Sequence, residues 1–204
     1  MIRAILTDLS QVVCLYDRAQ QVSNFMQFCP NTDPFDVDAA LCGRKGEERL
    51  KLFKRGVKTA EEFKQETELA LGLQPLTRQE FWAAYVGMYE PNKPVIELLA
   101  KAKQRHPLVQ LVAITNSDSR TLNHMVELST LEFDLVIPGS MDVDKSQPQF
   151  FREAVEMVEA RAEDCLCVDD QQKNLNAARI CGMATHLYTT PALLNSCLIT
   201  FGLL

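Results

Sequence analysis

Long hydrophobic runs are missing from this 204-residue chain. A membrane-crossing helix needs about 20 consecutive apolar residues, and no stretch approaches that, so no membrane partner is expected. A basic excess is missing as well. Lys and Arg total 21 against 27 Asp and Glu, a formal charge of −6, and the cations are scattered. Nucleic-acid binding usually needs a basic stripe, so that partner class is excluded too. Paired cysteine spacing is also lacking. The seven cysteines are odd in number and irregular, and no second Cys or His pair stands at ligand spacing beside Cys165 and Cys167. Buried free thiols in a reducing compartment are expected instead. The opening run from Met1 to Val13 is broken by Arg3 and Asp8 and carries no small-residue cleavage site, so a cytoplasmic protein is predicted. Internal repeats and low-complexity segments are absent.

Hydrophobic residues make up 47% and charged residues 24%, which is ordinary globular usage. The length suits one α/β domain carrying an insertion. The first apolar run, Ile2 to Leu6, reads as a buried strand ending in the polar Thr7 and Asp8. Residues 17 to 89 have a different texture, with helical periodicity and breaks at Pro30, Pro34, Gly43, Gly56 and the Gly72–Pro75 turn. Thr59–Glu62 and Thr77–Glu80 both read as capping boxes. After Pro94, strands alternate with helices. Strands are predicted near 108–115, 133–137, 165–168 and 184–188, and helices near 94–104, 119–128, 148–159, 171–181 and from Pro191. That alternation predicts an α/β fold, a Rossmann-like parallel sheet core with an inserted all-helical cap. The core comprises residues 1–14 and 91–204, and the cap 15–90.

Ligands of open parallel sheets bind beyond the carboxyl ends of the strands. Those ends carry Asp8, Leu9 and Ser10; Thr115 and Asn116; a loop with Asp142, Asp144 and Lys145; and Asp169 with Asp170. A carboxylate can attack phosphorus, and two more form a hard-oxygen site suited to Mg²⁺. A lysine and a hydroxyl can hold phosphate oxygens as charge develops. Each residue alone has an ordinary explanation. Asp8 can be a strand-end cap, Lys145 a solvated lysine, and Asp169–Asp170 the acidic opening of a helix. Their common placement at four strand ends favours the chemical reading.

These segments resemble the four motifs of the haloacid dehalogenase superfamily. Ile2 to Val13, with Asp8-Leu9-Ser10 at its centre, is similar to the nucleophile motif, and Leu111 to Asn116 to the second. Lys145 resembles the third. Val168-Asp169-Asp170 through Asn174 to Gly182 resembles the fourth. The resemblance spans the chain and is closest in look to bacterial sugar-phosphate phosphatases of the glucose-1-phosphate phosphatase type. Those share a turn like Arg55–Gly56 in their small helical cap. It implies a Mg²⁺-dependent hydrolase of a small phosphorylated metabolite. Asp8 would be nucleophile and metal ligand, joined by the Ser10 backbone carbonyl, Asp170 and Asp169. Thr115, Asn116 and Lys145 would bind the phosphoryl oxygens, and Asn174 would orient the metal side.

One departure stands out. The family usually places a second, acid/base aspartate two residues past the nucleophile, where this chain has Ser10. A serine gives no acid catalysis near neutral pH, a loss typically of about 10²–10⁴-fold. A weakened phospholigand-binding or regulatory protein is therefore the alternative, and a 2-haloacid dehalogenase the third reading. Arg44, Lys45 and Arg49 could meet an anionic substrate, but a solvated helix face is the expectation.

Overall fold

The computed structural model describes residues 1–139 and 143–204; Asp142 lies outside the described residues. Contacts divide the chain into two compact units, Met1–Leu15 with Pro91–Leu204, and Tyr16–Glu90.

The first unit is built on β1 (Ala4–Asp8), β4 (Gln110–Thr115), β5 (Leu135–Pro138), β6 (Cys165–Asp169) and β7 (Ala184–Leu187). They form one parallel sheet in the order β5-β4-β1-β6-β7. Parallel neighbours need crossover connections, and the intervening residues supply helices: α6 (Lys93–Arg105), α7 (Ser119–Ser129), α8 (Pro148–Met157) and α9 (Gln172–Ile180), with α10 (Pro191–Thr200) closing the chain. Every residue of β1 is buried. Leu6, Val112, Ile114, Cys165 and Cys167 share one cluster with Phe150, Phe151 and Ala154 of α8 and with Leu175 and Ala178 of α9. The alternate residues Ile5, Leu111, Leu166 and Val168 are buried as well, as are Val95 and Leu99 of α6 and Leu194 and Leu198 of α10. Both faces are covered, which explains why these strands read as continuous apolar runs. Register sets Asp8 opposite Ile114, Thr115 opposite Pro138 and Asp169 opposite Leu187, so the polar residues finish their strands at one edge of the sheet.

The second unit holds α1 (Arg18–Met26), α2 (Pro34–Cys42), α3 (Arg44–Lys54), α4 (Ala60–Leu71) and α5 (Arg78–Val86). Both expected capping boxes are present: Thr59 with Glu62 opens α4, and Thr77 with Glu80 opens α5. An aromatic cluster of Phe25, Phe53, Phe63, Phe81, Trp82 and Tyr85 fills the interior; Phe53 stacks on Phe63 at 4.6 Å between ring centroids. The expectation that Arg49 lies on a solvated face is corrected. It is buried, donating to Thr67 Oγ1 at 3.0 Å and to the Ala40 carbonyl. A guanidinium spent on internal acceptors is part of the packing, whereas Arg44 and Lys45 are exposed.

The chain passes between the units through β2 (Cys14–Tyr16) and β3 (Tyr89–Pro91), which form a two-stranded sheet. Among the described residues, no helix is long and apolar enough to cross a membrane. All seven cysteines are free. Burial pushes Cys14 up to about 12 and Cys165 up to about 11, so these thiols are poor nucleophiles.

Candidate active site

Asp8 closes β1 in the middle of the sheet, and its surroundings fix both carboxylate oxygens. The Leu9 backbone N–H donates to Oδ1 at 2.7 Å. Lys145 Nζ lies 2.7 Å from Oδ2. The chain then turns sharply. Gln11 takes a left-handed backbone (φ 63), with the Gln11 N–H donating to the Cys14 carbonyl and the Cys14 N–H to the Leu9 carbonyl. Ser10 sits in this turn, half-buried.

Lys145 is buried between two acids, with Nζ also 2.9 Å from Asp169 Oδ2. Burial alone would lower the lysine, but Asp8 and Asp169 carry it above its ordinary value, so it stays a cation. Burial pushes Asp8 up to about 6, against the pull of Lys145 and with a further push from Asp169. Asp170 is raised by burial and by the neighbouring Asp169.

The two acids ending β6 are held very differently. Asp169 is fully buried and saturated. Its oxygens accept from Asn174 Nδ2 at 2.9 and 3.0 Å, from the Gln171 N–H at 2.8 Å and from Lys145. Asp170 Oδ1 is buried without any hydrogen-bond partner among the described residues. Asn174, on the first turn of α9, spends its amide nitrogen on Asp169, and its own Oδ1 is buried without a partner among the described residues. Orphaned buried acceptors cost about 1–3 kcal/mol each unless something donates to them or binds them. Carboxylate oxygens of Asp8, Asp169 and Asp170 lie within 4.8 Å of one another. Three clustered carboxylates, one with an unsatisfied inward oxygen, fit a hard divalent cation.

The end of β4 adds neutral groups. Thr115 Oγ1 accepts from the Ser117 N–H at 3.0 Å, which leaves its own proton free to donate. Asn116 Oδ1 accepts the Lys145 backbone N–H at 3.1 Å, tying the lysine loop to β4. Of the sequence candidates, Asp8, Lys145, Asp169, Asp170 and Asn174 form one cluster, and Thr115 and Asn116 flank it. Asp144 is occupied locally, accepting from the Ser146 N–H at 2.7 Å.

One residue escaped the sequence reading. Gly139 follows β5, and a Cβ there would stand 2.6 Å from Asn116 Oδ1, the atom that holds the Lys145 loop. Its sequence signal is a lone glycine after a strand, which reads as ordinary turn punctuation.

A parallel sheet with a carboxylate, a lysine and an acid pair at its carboxyl edge suits a class of hydrolases built on such a sheet. Comparison places the chain within it: residues 4–182 match the model of the haloacid dehalogenase-like hydrolases, and the chain belongs to that family. No curated protein matches it. Among solved structures, it resembles a HAD family enzyme from Bacteroides thetaiotaomicron, an aspartate-to-alanine variant in complex with magnesium and inorganic phosphate. The identity is 16% and the TM-score 0.74, covering 93% of this chain and 95% of that one. A HAD-like family hydrolase from Porphyromonas gingivalis is 22% identical, with TM-score 0.71 and coverage of 97% and 98%. An L-2-haloacid dehalogenase from Xanthobacter autotrophicus, with chloropropionic acid covalently bound, is 17% identical, with TM-score 0.62 and coverage of 100% and 85%.

Proposed function

We propose that this protein is a Mg²⁺-dependent phosphatase of the cytoplasm that hydrolyses a small phosphate monoester through a phosphoryl group carried on Asp8. The observation that carries the reading is the contrast between Asp169, saturated by Lys145, Asn174 and the Gln171 amide, and Asp170, whose buried Oδ1 has no partner among the described residues. A site for halide displacement from carbon needs no such unsatisfied acid. The Bacteroides relative, which binds magnesium and phosphate, supports the choice.

Asp8, the Ser10 backbone carbonyl and Asp170 would hold Mg²⁺, with Asp169 and Asn174 fixing the surroundings. When bound, the cation supplies positive charge against the phosphoryl oxygens. A carboxylate oxygen of Asp8 would attack phosphorus while the ester oxygen departs with the bond pair and takes a proton from solvent; water would then attack the phosphoryl group, releasing phosphate and regenerating the carboxylate. Lys145, fixed between Asp8 and Asp169, supplies charge to the equatorial oxygens, and the Thr115 hydroxyl and Asn116 amide donate to them. The helical unit from residue 15 to 90 is read as a cap that selects the substrate and excludes water. With Ser10 in the acid/base position, substrates whose leaving oxygen departs without full protonation are favoured.

The test is turnover of phenyl phosphate with and without Mg²⁺, beside chloride release from 2-chloropropionate, for wild type and Asp8→Asn. Phosphate release that requires Mg²⁺ and falls at least about 10³-fold in Asp8→Asn is expected. Chloride release without Mg²⁺ would move the protein to the dehalogenases. Phosphate binding without turnover would make it a phospholigand-binding protein.

A further inference from the structure

Within the first unit a cavity of about 520 Å³ opens beside Asp170. Gln11 and Leu15, from the segment after β1, contribute to its lining, as do Tyr188, Thr189 and Pro191, from the segment after β7. That volume lies in the range of small-molecule sites.

The decisive feature is the hydroxyl of Tyr188. Asn92, which also lines the cavity, places Nδ2 2.7 Å from the Val12 carbonyl and 2.8 Å from Tyr188 Oη. A carbonyl can only accept, so Asn92 must present its NH₂ group there. Its second N–H then donates to Tyr188 Oη, and the phenol oxygen is an acceptor in that contact. The phenol proton is left over, and no acceptor among the described residues takes it. Tyr188 is 8% exposed and Asn92 5%. The Tyr188 N–H donates to the Asp169 carbonyl at 2.9 Å, which ties the Tyr188 main chain to the first of the two acids. A buried hydroxyl locked as acceptor on one side presents a preset donor on the other.

We propose that this cavity is a substrate subsite in which the Tyr188 hydroxyl donates to an oxygen of the ester's organic group, so that hydroxylated groups are favoured there over plain aryl ones. The proposal rests on the phosphatase reading. Leu15 and Pro191 offer apolar surface to the C–H edges of such a group, and Thr189 adds a hydroxyl. That mixture of apolar faces and fixed polar groups suits a small hydroxylated ligand and gives an unsubstituted aryl group nothing to pair with.

The experiment compares kcat/KM for glycerol 1-phosphate with kcat/KM for phenyl phosphate, in wild type, Tyr188→Phe and Thr189→Trp, with Mg²⁺ saturating and thermal melting as the check on folding. Tyr188→Phe leaves one Asn92 N–H unpaired in free and bound protein alike, so its structural cost cancels from the ratio. The polyol-to-aryl ratio should fall roughly 3- to 10-fold in Tyr188→Phe, mainly through KM, the size of one lost neutral hydrogen bond. Thr189 is exposed, and a Trp there should crowd the cavity and lower the ratio in a variant that folds even if Tyr188→Phe does not. An unchanged ratio in the folded variants overturns the subsite while leaving the phosphatase standing. An equal fall with both substrates also overturns it, because the hydroxyl would then act on the common chemistry. If wild type hydrolyses neither ester, the phosphatase reading has failed separately. Calorimetric titration of glycerol 1-phosphate into the same proteins then decides the subsite. Binding at least 3-fold weaker in Tyr188→Phe upholds it, and equal or absent binding overturns it.

Discussion

Asp169 and Asp170 are adjacent carboxylates with opposite duties, and single substitutions should separate them. Asp169 bridges Lys145, Asn174 and a backbone amide with no exposed surface, so Asp169→Asn removes one charge from a buried ion pair and puts an N–H₂ among donors. Breaking a buried pair typically costs about 3–5 kcal/mol. Asp169→Asn should therefore lower the melting temperature markedly. Asp170 has an unsatisfied oxygen and stabilises little in the absence of a cation, so Asp170→Asn should leave melting nearly unchanged while weakening Mg²⁺ binding at least about 10-fold. Calorimetry of both variants checks this. A larger Mg²⁺ loss in a well-folded Asp169→Asn would exchange the two roles.

At the scale of elements, the loops that leave β4 and β5 meet at one atom, Asn116 Oδ1, which receives the Lys145 N–H and lies where a Gly139 side chain would begin. Gly139→Ala must push the Asn116 amide or the Lys145 loop aside. Turnover should fall roughly 10- to 100-fold while the melting temperature moves only slightly, because a small misplacement of a charged group acts on the transition state more than on the fold. Steady-state kinetics beside thermal melting would show it; unchanged kcat would mean that the loop relaxes at no cost. The sheet strands and the helical stretch between them were legible because apolar runs and helical period are strong local signals. So were the acids, since strand ends can be read off a pattern. Lys145 was legible as the cation in the loop after the third strand, whereas Asn174, inside a helix, was legible only through resemblance. Gly139, Asn92 and Tyr188 were not legible. Their importance is a matter of distances across the fold, to Asn116 Oδ1 and to the Val12 carbonyl, and chain spacing does not encode those. The strands β2 and β3 are three residues each, too short for a period, and Arg49 was lost in a run of charges that looked solvated.

For the molecule as a whole, the cluster at Asp8 links stability to pH and to the cation. Burial holds Asp8 at about 6 against its ordinary 3.8, so the ionised form is disfavoured in the fold. In metal-free protein this group's contribution to stability rises as pH falls from about 6 towards 3.8, where the unfolded chain also takes up its proton. Saturating Mg²⁺ demands the ionised form and reverses the sign. The Mg²⁺-induced rise in melting temperature should be full above about pH 7 and should fade as pH falls through about 6. Scanning calorimetry at a series of pH values, with Mg²⁺ and with chelator, measures it; a rise independent of pH would place the cation away from Asp8. The position of β1 has a consequence in time as well. It ends at Asp8, whereas its two sheet partners, β4 and β6, begin at Gln110 and Cys165. At about 5–20 residues per second, a ribosome takes roughly 10–30 s to go from β1 to β6. During that interval the five-residue strand that carries Asp8 lacks at least one of its two sheet partners, and the whole of Tyr16–Glu90 is made before either of them. The central strand is thus made before the other strands of its sheet and waits longest for both partners, which exposes β1 to mispairing in the nascent chain.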